Sequence, residues 1–217
     1  MSQAHTKTGY GVDIASERID DMDKKMLAYL FSQTDIEILK VLDIGCGAGG
    51  QSVRMALAGA RVVALDIHDF SSNFAAARAE FSLTESKLTF VHSDMTDTSS
   101  FWATEQYDLC SLQRVLHYLP YEEAAAVIRT LRQQVKGQLY LTVTGLSSDI
   151  GNYYSSANQE LSERFYPLTQ EGSDLFGITK PLCLYTQSEL EFLLEKSDWT
   201  ILESRVSAFG NIKIVCA

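Results

Sequence analysis

Proline is scarce in this chain, with three in 217 residues, so little interrupts regular helices and strands. Cysteine is sparse and scattered, at Cys46, Cys110, Cys183 and Cys216. No CxxC pair occurs, so neither a zinc site nor a dithiol redox centre is signalled, and no metal is expected. The spread also argues against arsenic chemistry, which needs converging thiols. Free thiols in a reducing cytoplasm are the expected state. No apolar run could span a bilayer, and residues 1–16 lack the apolar core of a secretory signal, so a cytoplasmic protein without a membrane partner is expected. Positive charge is in deficit: 18 Lys and Arg face 28 Asp and Glu, a net charge of −10. Neutralising phosphates requires clustered cations. Their absence excludes a general nucleic-acid or anionic-membrane partner.

What is present is ordinary for a soluble globular chain: 46% hydrophobic and 21% charged residues. The length suits one domain over 1–217. Short apolar runs alternate with helical stretches. Strands are expected at 38–44, 61–66, 87–92, 107–112 and 138–143, and helices at 49–58, 71–81 and 121–135. That rhythm indicates βαβ units and a parallel sheet. A helix at 188–196 and strands at 199–206 and 211–215 follow.

Two regions lie outside the rhythm. Residues 1–35 hold a polar arm and an amphipathic helix over 16–31, with Ile19, Met22, Met26, Leu27 and Leu30 on one face. Residues 145–185 form an excursion too long for a plain loop. Its Tyr153, Tyr154, Phe165, Tyr166, Phe176 and Tyr185 argue against disorder. It reads as a lid insertion with some helix over 157–165.

The most informative segment is Val41-Leu42-Asp43-Ile44-Gly45-Cys46-Gly47-Ala48-Gly49-Gly50. A buried strand breaks into a glycine-dense turn, and a helical pattern follows. Glycine lets a ligand approach the backbone closely, and the new helix offers unpaired N–H groups. The turn also satisfies G-x-G-x-x-G, and Asp66 falls 21 residues after Gly45, at a strand end, where an acid can hold a ribose diol. A tight structural turn beside a surface acid is the plainer alternative.

Together these features resemble the class I S-adenosylmethionine-dependent methyltransferases, over residues 36–217. Asp43 to Gly49 is similar to that family's D-x-G-x-G-x-G motif. Ser93-Asp94-Met95 resembles its adenine site, and Tyr107 to Leu112 with Val115-Leu116-His117-Tyr118-Leu119-Pro120 resembles its fourth-strand segment. Tyr185 to Leu190 and Trp199 to Glu203 resemble its last helix and hairpin. The resemblance implies an α/β, doubly wound, seven-stranded sheet of order 3-2-1-4-5-7-6, mostly parallel with the last strand antiparallel. It implies S-adenosylmethionine as cofactor and S-adenosylhomocysteine as product. The cofactor site would comprise Asp43, Gly45, Cys46, Gly47, Asp66, Ile67, Asp94, Met95, Leu112 and Gln113. Asp66 suits the ribose diol, and Asp94 with Met95 suits the adenine. Asp43 or backbone carbonyls near Leu112 and Gln113 suit the ammonium. Asp94 as a turn cap and Asp43 as a brace for the glycine turn remain open alternatives.

In-line methyl transfer depends mostly on orientation and water exclusion, so no dedicated base is required. If one exists, His117 is the candidate, placed after the fourth strand; packing or substrate orientation is its other reading. Arg114 either binds a carboxylate or pairs with a nearby acid. Tyr10, Tyr153 and Tyr154 are candidate walls of an acceptor pocket. His68 and His92 read as surface or strand-end residues. The chain lacks an Asn/Asp-Pro-Pro-Tyr/Phe tetrad and a Pro-Cys nucleophile. A small-molecule acceptor under an aromatic lid is therefore expected, neutral or cationic rather than polyanionic. A nicotinamide-dependent reductase is the alternative enzyme, opposed by Asp43, Asp94 and the lack of Tyr-x-x-x-Lys. An inert S-adenosylmethionine-binding protein would show the same sequence. Oligomeric state leaves no signal.

Overall fold

The computed structural model describes residues 9–11 and 19–217. Strands β1 (Lys40–Ile44), β2 (Arg61–Asp66), β3 (Leu88–His92), β4 (Tyr107–Gln113), β5 (Val135–Thr144), β6 (Ile201–Val206) and β7 (Asn211–Cys216) form one sheet. Its order is β3-β2-β1-β4-β5-β7-β6, as the resemblance implies. β1 to β5 pair in parallel, and β7 runs antiparallel to both β5 and β6.

Alternation along the strands separates two apolar layers, because successive side chains point to opposite faces. Val41, Val62, Ala64 and Leu109 face α1 (Asp21–Phe31), α2 (Gly50–Leu57) and α3 (Ser71–Phe81), where Met22, Met26, Leu30, Met55 and Phe74 complete one core. Leu42, Val63, Leu65, Cys110 and Leu139 face the other way, onto α4 (Tyr121–Gln134) and α6 (Gln187–Lys196). The central strands β1, β2 and β4 are thus covered on both faces, which is why they read as short apolar runs, whereas the edge strand β6 has no buried residue. Among the described residues no helix is long and apolar enough to cross a membrane.

Several boundaries differ from the sequence expectation. β1 begins at Lys40 rather than 38, since Ile36–Ile38 forms a 3-10 turn that leaves Ile38 exposed. The first helix begins at Asp21, not 16. Asp20 accepts the N–H groups of Met22 (2.7 Å) and Asp23 (3.1 Å), and Asp23 accepts that of Asp20 (3.0 Å). This reciprocal capping box sets the start and puts Ile19 outside the helix, exposed. Residues 16–18 lie outside the described residues. β5 starts at Val135, directly off α4, three residues before the expected 138.

The 145–185 excursion holds a core of its own: Tyr154, Leu168, Ile178, Leu182 and Leu184. The helix expected at 157–165 is only a 3-10 turn at Leu161–Glu163, and helix α5 forms later, at Gln170–Phe176. The reason is Arg164. Its buried guanidinium reaches Gln159 O, Leu184 O and, at 2.8 and 2.9 Å, both oxygens of Glu189 on α6. Those long-range bonds replace a local helical ladder and clamp the excursion to the main body.

Candidate functional site

The sheet order reverses at β1, which is flanked by β2 and β4, so connections leave in opposite directions and a crevice opens at the carboxyl ends. A cavity of about 690 Å³ fills it. The turn after β1 supplies its floor. Gly45 and Gly49 sit at φ +70° and +90°. A Cβ on Gly45 would lie 2.2 Å from Val115 Cγ2, and one on Gly49 2.7 Å from the Phe74 ring, so both conformation and packing demand glycine. The N–H groups of Gly45 and Cys46 both reach Leu65 O, at 2.7 and 3.1 Å, tying the turn to β2.

Six acids line the cavity: Asp20, Asp23, Asp43, Asp66, Asp94 and Glu123. Asp66 accepts from Gly47 N through Oδ2 and from His68 N through Oδ1, both at 2.9 Å. Asp94 uses Oδ1 to accept from the N–H and hydroxyl of Thr96, each at 2.8 Å, so it does cap the following turn. Asp43 is buried and accepts from Ser52 Oγ at 2.5 Å. Burial pushes its carboxyl up to about 6, against the lowering effect of Ser52 and Ser111. Asp23, on α1, is also buried. It accepts from Gln113 Nε2 at 2.7 Å and lies 3.5 Å from Arg54 Nη2; burial raises its pKa.

Of the residues expected at the cofactor, Asp43, Gly45, Cys46, Gly47, Asp66, Ile67, Asp94, Met95 and Gln113 line this cavity. Leu112 does not; its neighbours Ser111 and Gln113 do, because alternation turns Leu112 into the α4 core. Arg114 lines the cavity in the left-handed region (φ +60°), donates its N–H to Thr142 O at 2.7 Å, and has Nη2 4.0 Å from Asp20. Tyr10 lines it too. Its ring stands edge-on to His68 and Tyr118, with centroids 5.6 and 4.8 Å away, and its carbonyl accepts from Tyr118 Oη. Burial, then Asp94 and Asp66, raise the Tyr10 pKa.

Three expectations are corrected by position. Tyr153 and Tyr154 are not pocket walls. Tyr154 is buried in the excursion, donating to Leu182 O at 2.7 Å, and Tyr153 packs edge-on against Phe176. His117 is absent from the cavity lining and only 2% exposed. Its Nδ1 accepts from Thr144 N at 3.4 Å, and burial drives its pKa down to about 3, with Arg114 adding to the shift. Conversely His68, expected at the surface, lines the cavity. Sequence reasoning missed Asp20, Asp23, Gln51, Phe70, Glu123 and Phe165, which also line it. Two signals were present: the capping-box spacing of Asp20 and Asp23, and the place of Phe165 among the aromatics of the excursion.

Fold and crevice together define a doubly wound α/β protein with an acid-lined cavity where the strand order reverses. Residues 41–138 match the methyltransferase domain family. Ubiquinone biosynthesis O-methyltransferase of Vibrio vulnificus is 31% identical over 128 residues, covering 58% of this chain and 52% of that one. The Vibrio parahaemolyticus counterpart is 32% identical over 114 residues, 52% of this chain and 46% of its own. The chain thus spans about half the length of the curated relatives it matches. Among solved structures, magnesium protoporphyrin IX methyltransferase of Synechocystis with bound S-adenosylhomocysteine superposes with a TM-score of 0.60 at 22% identity, over 89% of this chain and 80% of that one. A Burkholderia thailandensis 1,6-didemethyltoxoflavin-N1-methyltransferase gives a TM-score of 0.63 at 15% identity, over 90% and 77%. Residues 41–138 are thus similar to a methyltransferase domain, and the whole chain has the fold of these solved methyltransferases.

The lining fits that family's cofactor, S-adenosylmethionine. Its sulfonium, ammonium, ribose diol and adenine amine all seek negative or accepting partners, and the cavity offers Asp23, Asp43, Asp66 and Asp94. The lining also holds a buried donor, the Gln51 amide, whose Nε2 has no hydrogen-bond partner. A dinucleotide would bring two phosphates against these same acids, at an electrostatic cost.

Proposed function

We propose that the protein transfers a methyl group from S-adenosylmethionine to a small organic acceptor. The observation that carries this is the acid-rich lining of a cavity large enough for the cofactor and a small molecule. The cofactor supplies an electrophilic methyl group on a sulfonium. Asp66, oriented by Gly47 and His68, would hold the ribose diol; Asp94, oriented by Thr96, the adenine edge; Asp43 and the neighbouring backbone, the tail. Tyr10, Tyr118, Leu119 and Phe165 would wall the acceptor end and exclude water, which strengthens every electrostatic contact inside.

His117 takes no part as a base in this reading, because a buried imidazole with a pKa near 3 is a poor proton acceptor. Orientation of the acceptor against the methyl carbon supplies the acceleration. The excursion contributes Phe165 as its share of the wall, with Arg164 anchoring the backbone beside it. The names of the curated relatives favour an oxygen acceptor on a small molecule.

Calorimetric titration of S-adenosylhomocysteine and of NADH into the protein tests the cofactor. Micromolar binding of the first and none of the second is expected. A preference for NADH would sink the reading. Turnover of a phenol, amine and thiol panel, read as S-adenosylhomocysteine release, then separates an enzyme from an inert binder.

A further inference from the structure

The wall beneath the glycine turn contains a hydrogen-bond donor with nothing to donate to. Gln51, the second residue of α2, lines the cavity and is only 3% exposed. Its Oε1 accepts from Arg54 Nε at 3.0 Å, which fixes which end of the amide is which. Nε2 is left buried without a partner. Arg54 is itself held by Asp23, and Asp23 by Gln113, so the amide is braced from α1 and β4. An unpaired buried donor is costly, and a rigid one cannot turn away to find another partner. The first turn of α2 also presents unpaired backbone N–H groups and the positive end of the helix dipole. A braced amide donor at a helix N-terminus calls for an anionic oxygen from the ligand, in a cavity whose other charged side chains are mostly acids.

We propose that Gln51 recognises the carboxylate of the cofactor's amino-acid tail, donating from Nε2. This rests on the cofactor reading above and adds a specificity to it. Gln51 makes the site prefer adenosyl thioethers that carry the α-carboxylate over those that lack it. Such a preference would keep tail-less nucleosides such as 5′-methylthioadenosine out of the cavity.

The test is a binding matrix by calorimetry, with no turnover needed. The ligands are S-adenosylhomocysteine, its decarboxylated analogue and 5′-methylthioadenosine; the proteins are wild type, Gln51→Leu and Gln51→Glu. Gln51→Leu is expected to weaken S-adenosylhomocysteine about tenfold, as for loss of one hydrogen bond to a charged group, and to leave the other two within about twofold. Gln51→Glu sets carboxylate against carboxylate. It is expected to weaken S-adenosylhomocysteine further while holding or improving the decarboxylated analogue, whose tail keeps only the ammonium. Equal weakening of all three ligands in both variants would show that Gln51 merely supports the glycine turn, and would overturn the proposal. Unchanged S-adenosylhomocysteine affinity in both variants would overturn it as well, with the cofactor reading intact. Failure of wild type to bind any of the three would overturn the cofactor reading itself.

Discussion

Gly47 donates its backbone N–H to Asp66 Oδ2 at 2.9 Å, so the glycine turn after β1 and the acid at the end of β2 form one unit. The acid proposed to hold the ribose diol therefore also stabilises the turn proposed to face the rest of the cofactor. Asp66→Ala is therefore expected to do two things. It should weaken S-adenosylhomocysteine by at least tenfold, and it should lower stability by about 1–3 kcal/mol through the orphaned N–H groups of Gly47 and His68. Asp66→Asn keeps an acceptor for one of them and should recover part of the stability but little of the affinity. Urea unfolding and calorimetry on the same samples check both.

Asp43 should make cofactor affinity depend on pH. Burial lifts its pKa to about 6, so it is mostly ionised at neutrality and changes form in mild acid. A cationic ligand group beside it favours the ionised form. S-adenosylhomocysteine affinity should thus fall as pH drops through about 6. Affinity measured from pH 5 to 8 would show the inflection, and Asp43→Asn should flatten it. A wild-type profile without it would dissociate Asp43 from the ligand.

His117 should appear in the stability of the protein rather than in its rate. Its folded pKa, near 3, lies below the ordinary histidine value, so the unfolded chain binds the proton more readily. Its contribution is present above about pH 6.5 and is lost as pH falls toward 3, at about 1.4 kcal/mol per unit. Asp43, with a raised pKa, acts in the opposite sense between about 4 and 6, so the informative quantity is the difference between wild type and His117→Asn. Denaturant unfolding from pH 4 to 8 should show a shallower acid loss in the variant. The pH profile of kcat should carry no histidine inflection that the variant abolishes.

Arg164→Ala should loosen the excursion. The side chain is buried and makes a paired contact to Glu189 at 2.8 and 2.9 Å. Because the Glu189 carboxylate keeps some access to solvent, losing these charge-assisted bonds is expected to cost about 1.5–3 kcal/mol. Limited proteolysis should then cut within 145–185 under conditions where wild type resists. Because Phe165 lines the cavity, acceptor KM should rise more than cofactor Kd.

Gly49→Ala should cost about 1–3 kcal/mol, from a left-handed residue that now carries a Cβ and from its overlap with the Phe74 ring 2.7 Å away. A fall in melting temperature of several degrees is the measurement. An unchanged value would mean that the turn readjusts.

Local pattern determined much of this protein. Strand β2 and helix α3 start and stop where alternation and composition place them, because a strand buried on both faces and a helix between turns are both written in nearest neighbours. The glycine turn and the acids at two strand ends were legible for the same reason: strict backbone requirements leave a residue-type signature. The strand order followed from resemblance rather than from spacing. Tertiary structure alone decided the rest. Asp23 enters the cavity only because α1 docks beside α2 and β4, a contact spanning 90 residues between Asp23 and Gln113. His117, four residues beyond the end of β4, turns into the core rather than the crevice, and Tyr154 of the excursion folds into that segment's own cluster. Such placements depend on which distant surfaces meet, and a polar side chain at the end of a strand carries no local mark of whether it will face a ligand or a neighbouring backbone.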